Sequence, residues 1–87
     1  MKGVTESIRV VFYFHLINDV DAVDHEGKEL VDLDAAMQHA RHLARFTASE
    51  TLKADGKIVL SHRIDVEDGR GNVLGTVTFG DVVKVLS

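Results

Sequence analysis

From Ile8 to Leu16 the chain alternates with a period of two: Ile8, Val10, Phe12, Phe14 and Leu16 fall on one face. Arg9, Val11, Tyr13 and His15 fall on the other. Successive side chains of a strand point to opposite sides, so this pattern predicts a half-buried antiparallel strand. Asn18-Asp19 favours a turn, which predicts a hairpin into a short strand around Val20–Val23. His25-Glu26-Gly27-Lys28 reads as a second turn, with Gly27 free to take positive φ.

The period then changes. From Leu33 to Ala54 there is no glycine or proline, and Leu33, Met37, Ala40, Ala44, Ala48 and Thr51 line one stripe, widened by Ala36 and Thr47. Asp32 is placed as the N-cap, with Asp34 favoured in the first turn by the helix dipole. Asp55-Gly56 ends the helix, with Gly56 in the left-handed closing position. The predicted helix has roughly six turns and is about 33 Å long.

Ile58 to Val66 alternates again, with Ile58, Leu60, His62, Ile64 and Val66 inward and Val59, Ser61, Arg63 and Asp65 outward. Glu67 to Asn72 is a glycine-rich hairpin connection, and Val73, Gly75, Val77 and Phe79 make the inward face of a last full strand. The apolar tail Asp81–Leu86 is expected to be ordered as another short strand. Strands, one long helix and strands again predict an α+β fold of order β-β-α-β-β, a small antiparallel sheet with the helix packed on one face. Residues 1–87 are expected to form one domain, with an ordered core over about residues 8–83.

An aromatic first strand, Phe12-Tyr13-Phe14-His15-Leu16, precedes an acidic hairpin in which Asp24, Gly27 and Glu29-Leu30 stand at fixed spacing. Asp32-Leu33-Asp34-Ala35-Ala36 follows, then Arg63-Ile64-Asp65-Val66, Asp68-Gly69, Val73-Leu74, Val77, Phe79 and Asp81. In this order the pieces resemble a family of short alphaproteobacterial proteins described as a domain of unknown function, over roughly residues 9 to 83. Val31 and Thr78 stand where typical members carry proline. The resemblance implies a bacterial protein and brings no activity or catalytic residue with it. A looser likeness to antitoxin domains rests on Asp34-Ala35-Ala36 and the helix after it.

Composition narrows the function classes. At 45% apolar and 28% charged, the chain has the makeup of a folded protein and not of a disordered one. It has no cysteine, which excludes a disulfide scaffold or a thiolate zinc site and suits a cytoplasmic home. The run Val10–Phe14 is too short to span a bilayer, and Arg9 and His15 bound it, so neither a secretion signal nor a membrane contact is expected. The net charge of −4 opposes phosphate backbones as partners. It is unevenly spread: residues 1–34 carry eight acids against Lys2, Arg9 and Lys28, whereas Arg41, Arg45, Lys53 and Lys57 make the helix mildly basic.

Candidate chemistry is sparse. A calcium loop starting at Asp19 would need an oxygen ligand at its fifth position, glycine at its sixth and glutamate at its twelfth, where Val23, Asp24 and Leu30 stand instead. His39 and His42 are three apart on the helix and can be neighbours, but a metal site would need a third ligand. Both are placed away from the apolar stripe. No serine lies in a nucleophile elbow, and Gly69-Arg70-Gly71-Asn72 is a turn, since no helix follows it. No catalytic, cofactor-binding or metal residues are therefore expected.

Two surfaces remain. One helix covers one face of the sheet, which leaves Arg9, Val11, Tyr13, His15 and Arg63 on a half-apolar outer face. Phe46 projects from the helix about 140° from its stripe. The expectation is a non-catalytic interaction module: a homodimer joined through the outer sheet face or an edge strand, or a module for another protein partner. The alternatives are a nucleic-acid-binding module in which Tyr13 and His15 stack bases and Arg9 and Arg63 meet phosphates, and a small metal-dependent protein built on His39 and His42.

Overall fold

The computed structural model describes residues 9–87; Ile8 lies outside them. Alternation places the strands and punctuation places the helix. Strand β1 runs Val10–Ile17, β2 Lys28–Leu30, β3 Arg63–Glu67 and β4 Val73–Thr78. Helix α1 spans Leu33–Asp55, and a short α2 spans Phe79–Val82. The sheet order is β2-β1-β3-β4, antiparallel throughout, with Phe14 opposite Val66 and Ile64 opposite Val77. This is the α+β fold of order β-β-α-β-β expected from the sequence.

The core joins large side chains of the sheet to small ones of the helix. Phe12, Phe14, Ile64, Val66, Val77 and Phe79 are buried against Ala36, Ala40, Ala44 and Ala48. Alanines in the stripe let the helix approach the sheet closely, and α1 lies mainly over β3 and β4. At the closest approach Met37 sits on Gly75, where an added Cβ would come within 2.6 Å of the sulfur. The helix ends as its punctuation predicts. The Asp32 side chain accepts from the Ala35 N–H at 2.8 Å, and Gly56 closes the other end at φ 71°, its N–H donating to the Leu52 carbonyl. No helix among the described residues is long and apolar enough to cross a membrane.

Four expectations are corrected. The second strand is not around Val20–Val23, which makes only the single bridge Leu16–Ala22, but at Lys28–Leu30. The reason lies in β1: the N–H of Phe14 is taken by the Asp24 carboxylate, so a side chain stands where a neighbouring strand would. Strand β3 starts at Arg63, because residues 58–62 are bent into a turn with the His62 N–H on the Val59 carbonyl. The chain after β4 forms α2, because Thr78 and Asp81 cap each other reciprocally and start a helical turn. Finally, His39 is not on the solvent side. It is half-buried, its ring meeting Phe14 edge-on at 4.7 Å between centroids.

Candidate functional site

The outer face is set by the strand register. Val11 stands opposite Glu29, Tyr13 opposite Glu67, His15 opposite Asp65, and Ile17 opposite Arg63. Thr76 and Thr78 of β4 continue the rows of Asp65 and Arg63. Val11, Tyr13, His15 and Arg63, proposed from alternation, thus share one face and are all half-buried. Arg9 is exposed just before β1, and Phe46, 59% exposed, lies on α1, which covers the opposite face.

This face satisfies itself. The Arg63 Nε donates to Asp65 Oδ1 at 3.0 Å, and the Thr76 hydroxyl reaches the same oxygen at 3.0 Å. That pairing accounts for a carboxylate only 8% exposed. The His15 Nδ1 accepts from the Asp24 N–H at 3.0 Å, so its proton sits on Nε2, which faces the Glu67 carboxylate at 3.3 Å. Tyr13 and Val11 lie over Gly27: a Cβ there would meet Val11 Cγ1 at 2.6 Å and Tyr13 Cε2 at 2.9 Å, and φ is +74°. Only glycine meets both demands.

Asp24, which the sequence shows only as part of the acidic hairpin, organises this corner. Its Oδ2 accepts from Phe14 N–H, and its Oδ1 accepts from the N–H groups of Glu26 and Gly27. Burial alone would raise its pKa; the hydrogen bonds from Gly27, Phe14 and Glu26, with His15 nearby, outweigh that and hold it below the ordinary aspartate value. Its three-residue spacing to Gly27 was the available signal, since an aspartate that caps a tight turn often precedes a glycine.

The other candidate residues do not converge. His39 is held below the ordinary histidine pKa by burial, then by Lys28 and His42, while His42 is exposed. Among the described residues no three histidine or acidic side chains are arranged to hold a metal. An open cleft of about 230 Å³ between the end of β1 and the end of α1 is lined by Asn18, Asp19, Thr51, Asp55, Lys57 and His62. His62 Nε2 stands 3.7 Å from the exposed Asp19 carboxylate, and its ring packs edge-on against Phe79.

The remaining feature is an edge. β4 closes one end of the sheet, with β3 as its one partner among the described residues. Its six residues, Val-Leu-Gly-Thr-Val-Thr, include no charge and no proline. Val73 is 55% and Leu74 39% exposed. The opposite edge, β2, is three residues long and carries Lys28 and Glu29. Natural sheets blunt their edges with short strands, charges and bulges; β2 is short and charged, whereas β4 is neither and has only a bulge at its start, where its register on β3 shifts between Val66 and Glu67.

A family model described as Domain of unknown function (DUF6894) matches residues 11–80. No curated protein and no solved structure matches the chain.

Proposed function

The chain belongs to the DUF6894 family, a domain of unknown function, and from that premise we propose that it is a non-catalytic interaction module that works as a homodimer joined along β4. The observation that carries this reading is the uncharged, proline-free edge strand at the end of the sheet. An open edge presents unpaired N–H and C=O groups that a second strand can take up, and a second copy of the same strand is the simplest partner. The outer face supports the reading less well as an interface, because its charges already pair with one another. The same pairing weighs against a base-stacking platform: Arg63 and His15, which that role needs free, each face a carboxylate of their own sheet.

Light scattering tests the proposal. The wild type should run at twice the 9.6 kDa of one chain. Leu74→Lys should run as a single chain, since it places a charge on the edge strand. Val11→Asp and Phe46→Asp should stay dimeric, being off that edge. A wild type that remains a single chain at high concentration overturns the reading, and a monomeric Val11→Asp beside a dimeric Leu74→Lys moves the interface to the outer face.

A further inference from the structure

We infer that residues 18–24 form a strap over the edge of β1 and that neutral His15 is its latch, so that protonation of His15 releases the strap. Strand β2 pairs with only the first part of β1, from Val10 to Phe12. Beyond it the strap takes over the same edge. Asp24 Oδ2 accepts from the Phe14 N–H at 3.1 Å, and Leu16 and Ala22 exchange both of their backbone hydrogen bonds at 2.9 Å. Little else fastens this segment. It makes one isolated bridge and no ladder, and its apolar residues Val20 and Val23 are 82% and 58% exposed.

The latch depends on which group donates. The Asp24 N–H donates to His15 Nδ1 at 3.0 Å, while Nε2 faces Glu67 Oε1 at 3.3 Å. A partner at each nitrogen holds the ring in one orientation and one tautomer, with its proton on Nε2. A second proton can therefore go only to Nδ1. An imidazolium has no lone pair left to accept with, so the Asp24 N–H would then face another N–H. The bond that pins Asp24 becomes a clash of two donors, and that contact must open.

The charges around the ring decide which side moves. Glu67 at Nε2, Asp65 opposite His15 on β3 and the nearby Asp24 carboxylate all favour the cation. Arg63, bound to Asp65, offsets part of this, and Tyr13 is the neighbour two residues back on the same face. The sheet therefore accommodates the positive ring, and the cost falls on the strap. At the strap's other end His62 Nε2 stands 3.7 Å from the Asp19 carboxylate, a contact that protonation of His62 would strengthen. Release is thus centred on Asp24, and it uncovers the edge of β1 at Phe14 and Leu16. None of this depends on how copies pair along β4.

Amide hydrogen exchange on the full chain, followed by NMR from about pH 8 to about pH 5, tests the latch across the range in which histidines ordinarily titrate. Each rate is divided by the intrinsic rate at the same pH. Asp24, held below 3.8, keeps its charge throughout that range, so its own titration is not what is read. Imidazole nitrogen shifts should show His15 Nδ1 unprotonated at the upper end. As the ring takes its second proton, protection of the Asp24 amide should fall at least about tenfold, and that of Phe14 and Leu16 should fall with it, while the β3 amides keep theirs. His15→Asn places an oxygen where Nδ1 stood and does not titrate, so its protection should be flat with pH. Protection that survives double protonation of His15 in the wild type overturns the inference. So does a ring that takes no second proton by the lower end, or one that carries its proton on Nδ1 at the upper end. A folded His15→Asn that loses protection in parallel with the wild type overturns it as well, since another group then drives the change. The wild-type measurements decide the matter by themselves if His15→Asn does not fold.

Discussion

Phe14 is the side chain on which sheet, helix and turn converge. Its ring is buried under His39, and its N–H is bound by Asp24. Truncating a buried phenylalanine loses both its transfer free energy and the packing of the cavity left behind, so Phe14→Ala should cost on the order of 3–5 kcal/mol in chemical denaturation. His15→Ala, next door on the outer face, should cost clearly less. Asp24→Ala works through hydrogen bonds instead: three N–H groups lose their acceptor, one of them in the middle of the central strand, and about 1–3 kcal/mol should be lost. The pH dependence has a definite sign. The folded-state pKa of Asp24 lies below the 3.8 of a free aspartate, so its stabilisation is complete above that value and is lost as pH falls through the folded pKa. The stability gap between wild type and Asp24→Asn should therefore be widest near neutral pH and shrink below pH 3.8. A gap that stays constant down to the acid limb would mean that the Asp24 charge contributes nothing.

At the scale of elements, helix α1 was legible in the sequence to within a residue, because everything that defines it is local. Asp32, the alanine row and Asp55-Gly56 act on their own neighbours. Removing the cap with Asp32→Ala should lower stability by about 1 kcal/mol, measured as a shift in the denaturant midpoint at unchanged slope; no shift would place the functional start of the helix elsewhere. Strand ends were less legible because distant partners set them. Ile58 and Leu60 alternate like strand residues, yet the Leu60 carbonyl accepts from the Gly80 N–H, and the segment is drawn into the turn that seats α2. Helix α2 did carry a local sign, Thr78-x-x-Asp81, which is a capping box with aspartate in the usual glutamate place. The grouping of Val11, Tyr13, His15 and Arg63 on one face follows from alternation and was readable. Which strand forms the bare edge was not: the order β2-β1-β3-β4 arises from the pairing of β1 with β3, about fifty residues apart, and no local pattern encodes it.

At the scale of the molecule, a chain of this length buries only about two-thirds of its unfolded surface and has no covalent staple. Its helix contributes mainly alanines to the core, so each contact of α1 buries little apolar area. A second copy along β4 would add what the single chain lacks: partners for open backbone groups of the edge strand, and cover for Val73 and Leu74. Unfolding of such a dimer is coupled to dissociation, and mass action then makes its stability depend on protein concentration. Each tenfold increase contributes about 1.4 kcal/mol per dimer, which corresponds to a rise of a few degrees in Tm. The wild type should show this rise across a hundredfold range of concentration. Leu74→Lys/Thr76→Lys should melt at a temperature independent of concentration, because it unfolds as a single chain. The two slopes carry more than the two melting temperatures, since lysines on an exposed strand can lower stability without touching assembly, but only a lost interface removes the slope. A wild type with a flat profile would show that the fold stands without a partner and that the bare edge of β4 is tolerated by the monomer.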